Sequence, residues 1–321
     1  MDLVTLAARP LEIILRPRAV RHATPGDKID LWSLYCLPMS AMTFASGRSH
    51  IGLSLLRRAA SIGRAPGEPD SEELEWLRER VEAGELEDVS PSEAWPEFAE
   101  CLMTRAPARS MQLLRHCGAL DHFLPEVEAL FGVPQIAEGD VNADLGELLM
   151  NALSEAAFCD APLPVRFALM VMNVGKSDSP AEHLPVHYGH IERGRPRIEA
   201  ICTRFRASEE CLDLALLALA ECERVHRVSR VRAGPVAAML ERLGAFGERS
   251  RFEDLMTVCA CDFRAYRGRS AQAYPKAATL AEAIEACAKV ADTIESADRL
   301  AARARAIAQA FASERWPDAA S

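Results

Sequence analysis

The sequence predicts an all-α fold. Three observations carry that expectation. Apolar residues make up 49% of the 321 positions and aromatics only 6%, and the commonest side chains, Ala, Leu, Glu and Arg, are strong helix formers. Apolar positions recur at helical spacing in most segments. Pro, Ser, Asp and Gly punctuate those segments as starts and stops, while β-branched alternating runs are almost absent. The length suits two or three helical modules.

The elements follow in order. Lys28 to Ser46 is nearly uncharged and broken at Pro38, and Gly47 to Gly63 reads as a helix. Ala65 to Ser71 reads as a turn. Ser71 with Glu73 and Leu74 is expected to open the next helix near Glu72, with Leu74, Leu77 and Val81 on its apolar face and Gly84 as its stop. Ser90-Pro91-Ser92-Glu93 is a second start, with Pro at the first helical position. That helix carries Trp95, Phe98, Ala99 and Leu102 and breaks at Arg105-Ala106-Pro107. A third holds Met111, Leu113 and Leu114 and stops at Gly118. Gln135 to Asp144 reads as a polar joint between modules. Leu145 to Phe158 is helical, and Val165 to Val174 is apolar all round, so it belongs at the centre of the fold. Lys176 to Pro196 reads as a loop. Helices are expected over Ile198 to Phe205, Ser208 to Val225, Pro235 to Leu243 and Phe252 to Tyr266, followed by a loop from Ser270 to Lys276. Ala277 to Phe311 is an Ala-rich tail of one or two helices.

Composition narrows the function classes. The ten Cys include no CxxC pair and sit in apolar helical patterns, so they read as buried thiols in a reducing cytosol and not as a zinc site. No run reaches the ~18 apolar residues of a membrane span, and Met1 to Pro17 lacks a basic leader, so the expected location is cytoplasmic, with no membrane partner. The net charge of −10 is concentrated. Glu68 to Glu100 holds 13 Asp/Glu against Arg78 and Arg80, and Arg193 to Arg232 holds nine Arg against six acids. A local basic face can bind phosphate on a protein that is acidic overall, although ion pairing with neighbouring Glu accounts for the same residues.

Glu82 to Gln135 closely resembles the middle of bacterial multifunctional CCA-adding tRNA nucleotidyltransferases. The shared pieces are Gly84-Glu85-Leu86, Pro91, Trp95, Leu102-Met103, Leu114-Arg115, Cys117-Gly118-Ala119-Leu120 and Leu130-Phe131-Gly132-Val133-Pro134. The likeness resumes at Val165-Arg166-Phe167-Ala168. It runs through His187-Tyr188-Gly189-His190, Glu192-Arg193-Gly194 and Asp213-Leu214-Ala215-Leu216 to Val225-His226-Arg227, with Asp262-x-Arg264 and Tyr274-Pro275 as later echoes. The resemblance implies an irregular segment 1–18, a helical neck and body over 19–135, an HD-like domain over 136–266 and a helical tail over 267–321.

The departures from the family pattern set the functional expectation. The Gly-rich turn ending in Arg-Asp and the Asp-x-Asp strand of the transferase head are not found. The nucleotide-choosing motif is replaced by the apolar stretch before Ser49-His50-Ile51-Gly52. The helix Phe167 to Lys176 resembles the HD metal helix, but the His and Asp that name it correspond to Met172 and Asn173. A thioether and a neutral amide do not replace an imidazole and a carboxylate on a hard cation. The family's first metal His falls at about Glu147, and a further His near Cys222 is also absent. Lys176, His187, His190, His226 and Asp262 remain.

The expectation is therefore a pseudoenzyme with a degenerate HD site, no catalytic residue, no metal and no cofactor, which binds tRNA or another structured RNA through Arg193, Arg195, Arg197, Arg204, Arg206 and Arg227. Arg299, Arg303 and Arg305 of the tail are further candidates. The alternatives are a protein-interaction subunit that pairs with a separate nucleotidyltransferase head, and a residual metal-dependent phosphohydrolase with a relocated site drawn from Glu147, two His and Asp262.

Overall fold

The computed structural model describes residues 47–65, 70–137, 142–247, 249–288, 290 and 296–313. The apolar Lys28 to Ser46 stretch, on which the interaction-subunit reading leans, lies outside them. Fourteen α-helices and one two-residue strand pair make up the regular structure of the described residues, as the composition predicts.

The N-terminal module contains α1 (Gly47–Arg64), α2 (Ser71–Glu82), α3 (Pro91–Met103), α4 (Pro107–His116), α5 (Ala119–Phe123) and α6 (Pro125–Glu128). The cap of α2 is Asp70, whose carboxylate accepts from Glu72 N–H at 3.3 Å. Ser71 is thus the first helical residue and not the cap, because the extended backbone a cap requires falls one position earlier. Helix α3 starts as expected. Ser90 Oγ accepts from the Glu93 N–H and the Glu93 carboxylate accepts from the Ser90 N–H, a reciprocal capping box with Pro91 at the first turn. Gly118, at φ +83°, ends α4 in the left-handed region.

The Gln135 to Asp144 joint is bridged. β1 (Pro134–Gln135) pairs antiparallel with β2 (Ala143–Asp144), with Pro134 opposite Asp144. Asp144 then caps α7 (Leu145–Phe158) by accepting from Glu147 N–H at 2.9 Å.

α8 (Leu163–Val171) is buried from Val165 through Val171 and packs against α3, α7, α10 (Glu209–His226) and α12 (Arg249–Ala265). Its all-round apolar character gives it this central place. Arg166 is the polar exception in α8. Its guanidinium is 3% exposed and donates to the carbonyls of Ala161 at 2.8 Å, Leu102 at 2.8 Å and Thr104 at 2.9 Å. It therefore ties the end of α3 to the α7–α8 connection, across the predicted module boundary. Edge-on aromatic contacts of Trp95 with Phe167 and of Phe98 with Phe205 hold α3 against α8 and α9 (His190–Phe205).

The sequence-based loop from Lys176 to Pro196 ends seven residues early. Helix α9 begins at His190 and carries Pro196 as its seventh residue, so the amide that would bond to the Glu192 carbonyl is missing inside the helix. The tail forms two helices, α13 (Pro275–Cys287) and α14 (Ser296–Ser313), and both pack with α11 (Ala233–Arg242). No helix among the described residues is long and apolar enough to cross a membrane.

Candidate functional site

A cavity of about 660 Å³ opens between α7, α8, α9, α10 and α12. Met172, Asn173, Lys176, His187, His190 and Asp262 all line it. Six residues spread over ninety positions of sequence thus meet at one place. Glu147 does not join them. On α7 the residues that face the cavity are Leu145, Leu148, Leu149 and Ala152, one stripe of a 3.6-residue period. Glu147 lies off that stripe, exposed, in a separate depression with Gln112, Arg115 and Asn151. The geometry therefore does not bring Glu147 together with His187, His190 and Asp262.

The cavity wall is built by a close approach. After α8 the chain makes a single 3-10 turn, Val174–Lys176, against the first turns of α9. A Cβ on Gly175 would lie 2.0 Å from the His190 carbonyl oxygen and 2.5 Å from Gly194 N, so only glycine fits. Two arginines of α9 fasten the turn. Arg193 Nε donates to Gly175 O at 3.0 Å and its NH2 to Ser179 Oγ at 3.0 Å. Arg197 donates to Val174 O at 2.9 Å and Ser177 Oγ at 3.0 Å, and pairs with Asp178. Arg204 reaches the other module, donating to both oxygens of Glu126 and to Phe123 O. Three of the six arginines named from the sequence therefore hold the fold together. Arg195 and Arg227 are exposed and pair along their own helices with Glu199 and Glu223. Arg206 is exposed at the end of α9, at φ +54°.

Lys176, only 6% exposed, places Nζ 3.1 Å from Glu223 Oε1 and 3.2 Å from Gln135 Oε1. Glu223 also faces His190 and Arg227. Burial works against its charge, but Lys176 and His190 outweigh burial and hold the carboxyl below its usual range. His187 bridges two segments, with Nδ1 2.8 Å from Ser179 Oγ and Nε2 3.0 Å from Pro134 O. Ser179 accepts from Arg193, so its hydroxyl donates to His187 Nδ1, and Nε2–H donates to the Pro134 carbonyl. Burial and the nearby Lys176 push His187 below its ordinary value, and burial lowers His190 as well. Both are neutral at pH 7.

On the opposite wall, His226 Nε2 lies 3.0 Å from Asp262 Oδ2 and 3.4 Å from Cys222 Sγ, and its Nδ1 lies 2.8 Å from the Tyr274 hydroxyl. Burial opposes a charge on His226, but Cys222 and Asp262 outweigh it and raise the imidazole to about 10. The Cys222 thiol is itself pushed well up, by its contact with Cys259 and by burial. Sequence reasoning named His226 and Asp262 among the residues that remain and read Cys222 as a buried thiol near a lost histidine. The four-residue spacing of Cys222 and His226 put them on one helix face; their meeting with Asp262 and Tyr274 needed the fold.

The charges of the cavity are paired: Glu223 faces both Lys176 and Arg227, and Asp262 faces His226, above an apolar floor from α7. It can orient a polar ligand by hydrogen bonds from fixed groups.

Residues 75–131 match the family model described as "Probable RNA and SrmB- binding site of polymerase A". The chain is 41% identical to the Multifunctional CCA protein of Cupriavidus necator over 220 residues, which is 68% of this chain and 54% of that protein. It is 38% identical to the Multifunctional CCA protein of Polaromonas naphthalenivorans over 78% of this chain and 58% of that protein. For the Multifunctional CCA protein of Burkholderia mallei (strain SAVP1) the identity is 37%, over 80% and 65% respectively. The chain spans between half and two thirds of the length of these relatives. Over that span it is a homologue of the multifunctional CCA proteins.

Proposed function

We propose that the chain binds structured RNA, with tRNA as the leading class, and that the cavity between α7 and α12 does not act through the HD metal pair. The match of residues 75–131 to an RNA-binding region carries the reading, and the relatives named as CCA proteins give the RNA class. The matched segment holds twelve acids against five Arg. Phosphate contacts therefore come from other surfaces. Arg195, Arg206 and Arg227 are the exposed members of the expected set and project from the ends of α9 and α10. The absence of HD-type hydrolysis follows from Met172, which is 5% exposed and apolar, and from the uncharged Asn173.

The test is tRNA binding by anisotropy or filter retention at two salt concentrations. Three phosphate contacts give a log–log salt slope near −2.7, or a loss of roughly 40-fold from 50 to 200 mM salt. Replacing Arg195, Arg206 and Arg227 by Gln removes most of that slope. Binding no tighter than to an acidic control protein ends the proposal.

A further inference from the structure

We propose that Cys159 and Cys261 are an oxidation-responsive pair, which closes to a reversible disulfide between α7 and α12 when the chain meets a peroxide. The two sulfurs stand 4.0 Å apart. A disulfide needs about 2.05 Å, so they must close by roughly 2 Å. Helices α7 and α12 pack against each other, and the two thiols meet at that contact. Cys159 is the C-cap residue of α7, and Asp160 after it turns into the left-handed region at φ +52°. The chain leaves the helix there, and a terminal residue adjusts by local rotation more readily than one in mid-helix. Cys261, in the interior of α12 and fully buried, is the fixed partner.

The two thiols differ in the way such a pair requires. Among the nine described cysteines Cys159 is the one that is not buried, which corrects the expectation of a buried thiol at this position. An oxidant therefore reaches its sulfur and not that of Cys261. The contact with Cys261, helped by Arg264, the Ala161 N–H and Arg166, outweighs burial and holds Cys159 below the usual thiol range. The thiolate is the nucleophile. For Cys261 the same contact and burial act the other way, and it stays a thiol. The Cys159 thiolate attacks the O–O bond of the peroxide, which gives a sulfenic acid and releases hydroxide. Cys261 then attacks that sulfur, and its proton leaves with the displaced hydroxide as water. Two thiols and one hydrogen peroxide yield one disulfide and two waters, with two electrons passing from sulfur to oxygen. A dithiol reverses the step by exchange, and in a reducing compartment the pair rests as two thiols. Cys222 and Cys259 also touch, but both are buried and offer an oxidant no comparable entry. The closed bond ties the floor helix of the cavity to α12, two residues before Ala161, whose carbonyl accepts from Arg166 Nε. The inference does not depend on RNA binding.

The full-length protein is reduced, desalted and treated with a small excess of hydrogen peroxide. Free thiols counted in denaturant fall by two from ten, the monomer loses two hydrogens in mass, and peptide mapping without reductant recovers Cys159 joined to Cys261. Dithiothreitol restores both thiols. The bond joins positions 102 residues apart and so restricts the unfolded chain, which moves the urea midpoint of the oxidised protein upward. Cys159→Ser abolishes the bond. Cys261→Ser stops the reaction at a sulfenic acid on Cys159, captured by dimedone. Cys222→Ser leaves the bond intact. Should a variant fail to fold, the peptide map of the unaltered protein still decides. Linkage of a different pair, no loss of thiols, a bond that forms only after unfolding in urea, or a lower urea midpoint after oxidation overturns the proposal.

Discussion

Replacing Gly175 by alanine tests whether the cavity depends on a backbone-to-backbone approach. The added Cβ lies 2.0 Å from His190 O, 2.5 Å from Gly194 N and 2.8 Å from Gly194 Cα. Ordinary contact is about 3.5 Å, so the turn and α9 must part by roughly 1.5 Å. All three blocking atoms are backbone, and none can rotate away. Overpacking alone costs about 1–3 kcal/mol. The displacement also stretches the bonds from Arg193 to Gly175 O and from Arg197 to Val174 O, now 3.0 and 2.9 Å. A bond from a charged donor contributes about 1.5–3 kcal/mol. Losing one brings the total to roughly 2.5–6 kcal/mol and losing both to roughly 4–9 kcal/mol, a large part of the stability of a domain. Gly194→Ala is the control. Its Cβ meets Leu219 Cδ1 at 3.0 Å and Cδ2 at 3.2 Å, the mobile end of a side chain, and mid-helix alanine gains about 1 kcal/mol over glycine. Its net effect is within about 1 kcal/mol of zero. Urea denaturation with a shared m-value measures both. Equal stability losses for the two variants refute the close-approach argument.

Arg166→Met strands the carbonyls of Leu102, Thr104 and Ala161 in the core, and about 1–3 kcal/mol for each unsatisfied group predicts a loss of roughly 3–9 kcal/mol. A loss below about 1 kcal/mol in urea unfolding would show that the guanidinium is not the tie between modules. The histidines of the cavity shift the pH dependence of stability in opposite senses. His187 and His190 have folded values below the unfolded one, so stability is lost as pH falls below about 6.5, where only the unfolded chain takes up those protons. His226, raised to about 10, contributes stability fully present below about 6.5 and lost as pH rises to 10. Each group gives a slope of at most about 1.4 kcal/mol per pH unit, and His187→Gln flattens the acid limb in a pH series of urea midpoints. Ser90→Ala removes the capping box of α3 and lowers stability by about 0.5–2 kcal/mol; no change in thermal midpoint would mean that solvent replaces the cap without cost.

The helices were legible because their signals are local. Ser90 with Glu93 and the even apolar run of α8 each act within a few residues, and the bounds of α7 at Leu145 and Phe158 fall where the periodicity puts them. The start of α9 was misread because Pro196 and two nearby glycines look like a loop, whereas the helix runs through Pro196 from His190, held by the contacts of Arg193 and Arg197 to the preceding turn. The cap of α2 slipped by one residue because Asp70 and Ser71 are both good caps, and only the backbone angles choose between them.

By itself, the sequence determined the helical class, the central position of α8, the family likeness and the chemistry missing at Met172 and Asn173. Those depend on side-chain type and short-range spacing. Only the tertiary structure decided that Glu147 points away from the cavity, that Arg193, Arg197 and Arg204 grip carbonyls and carboxylates of neighbouring segments, and that Cys222, His226, Asp262 and Tyr274 converge. The reason is that a side chain's partner is fixed by how helices rotate and pack against one another, and no local pattern encodes that rotation.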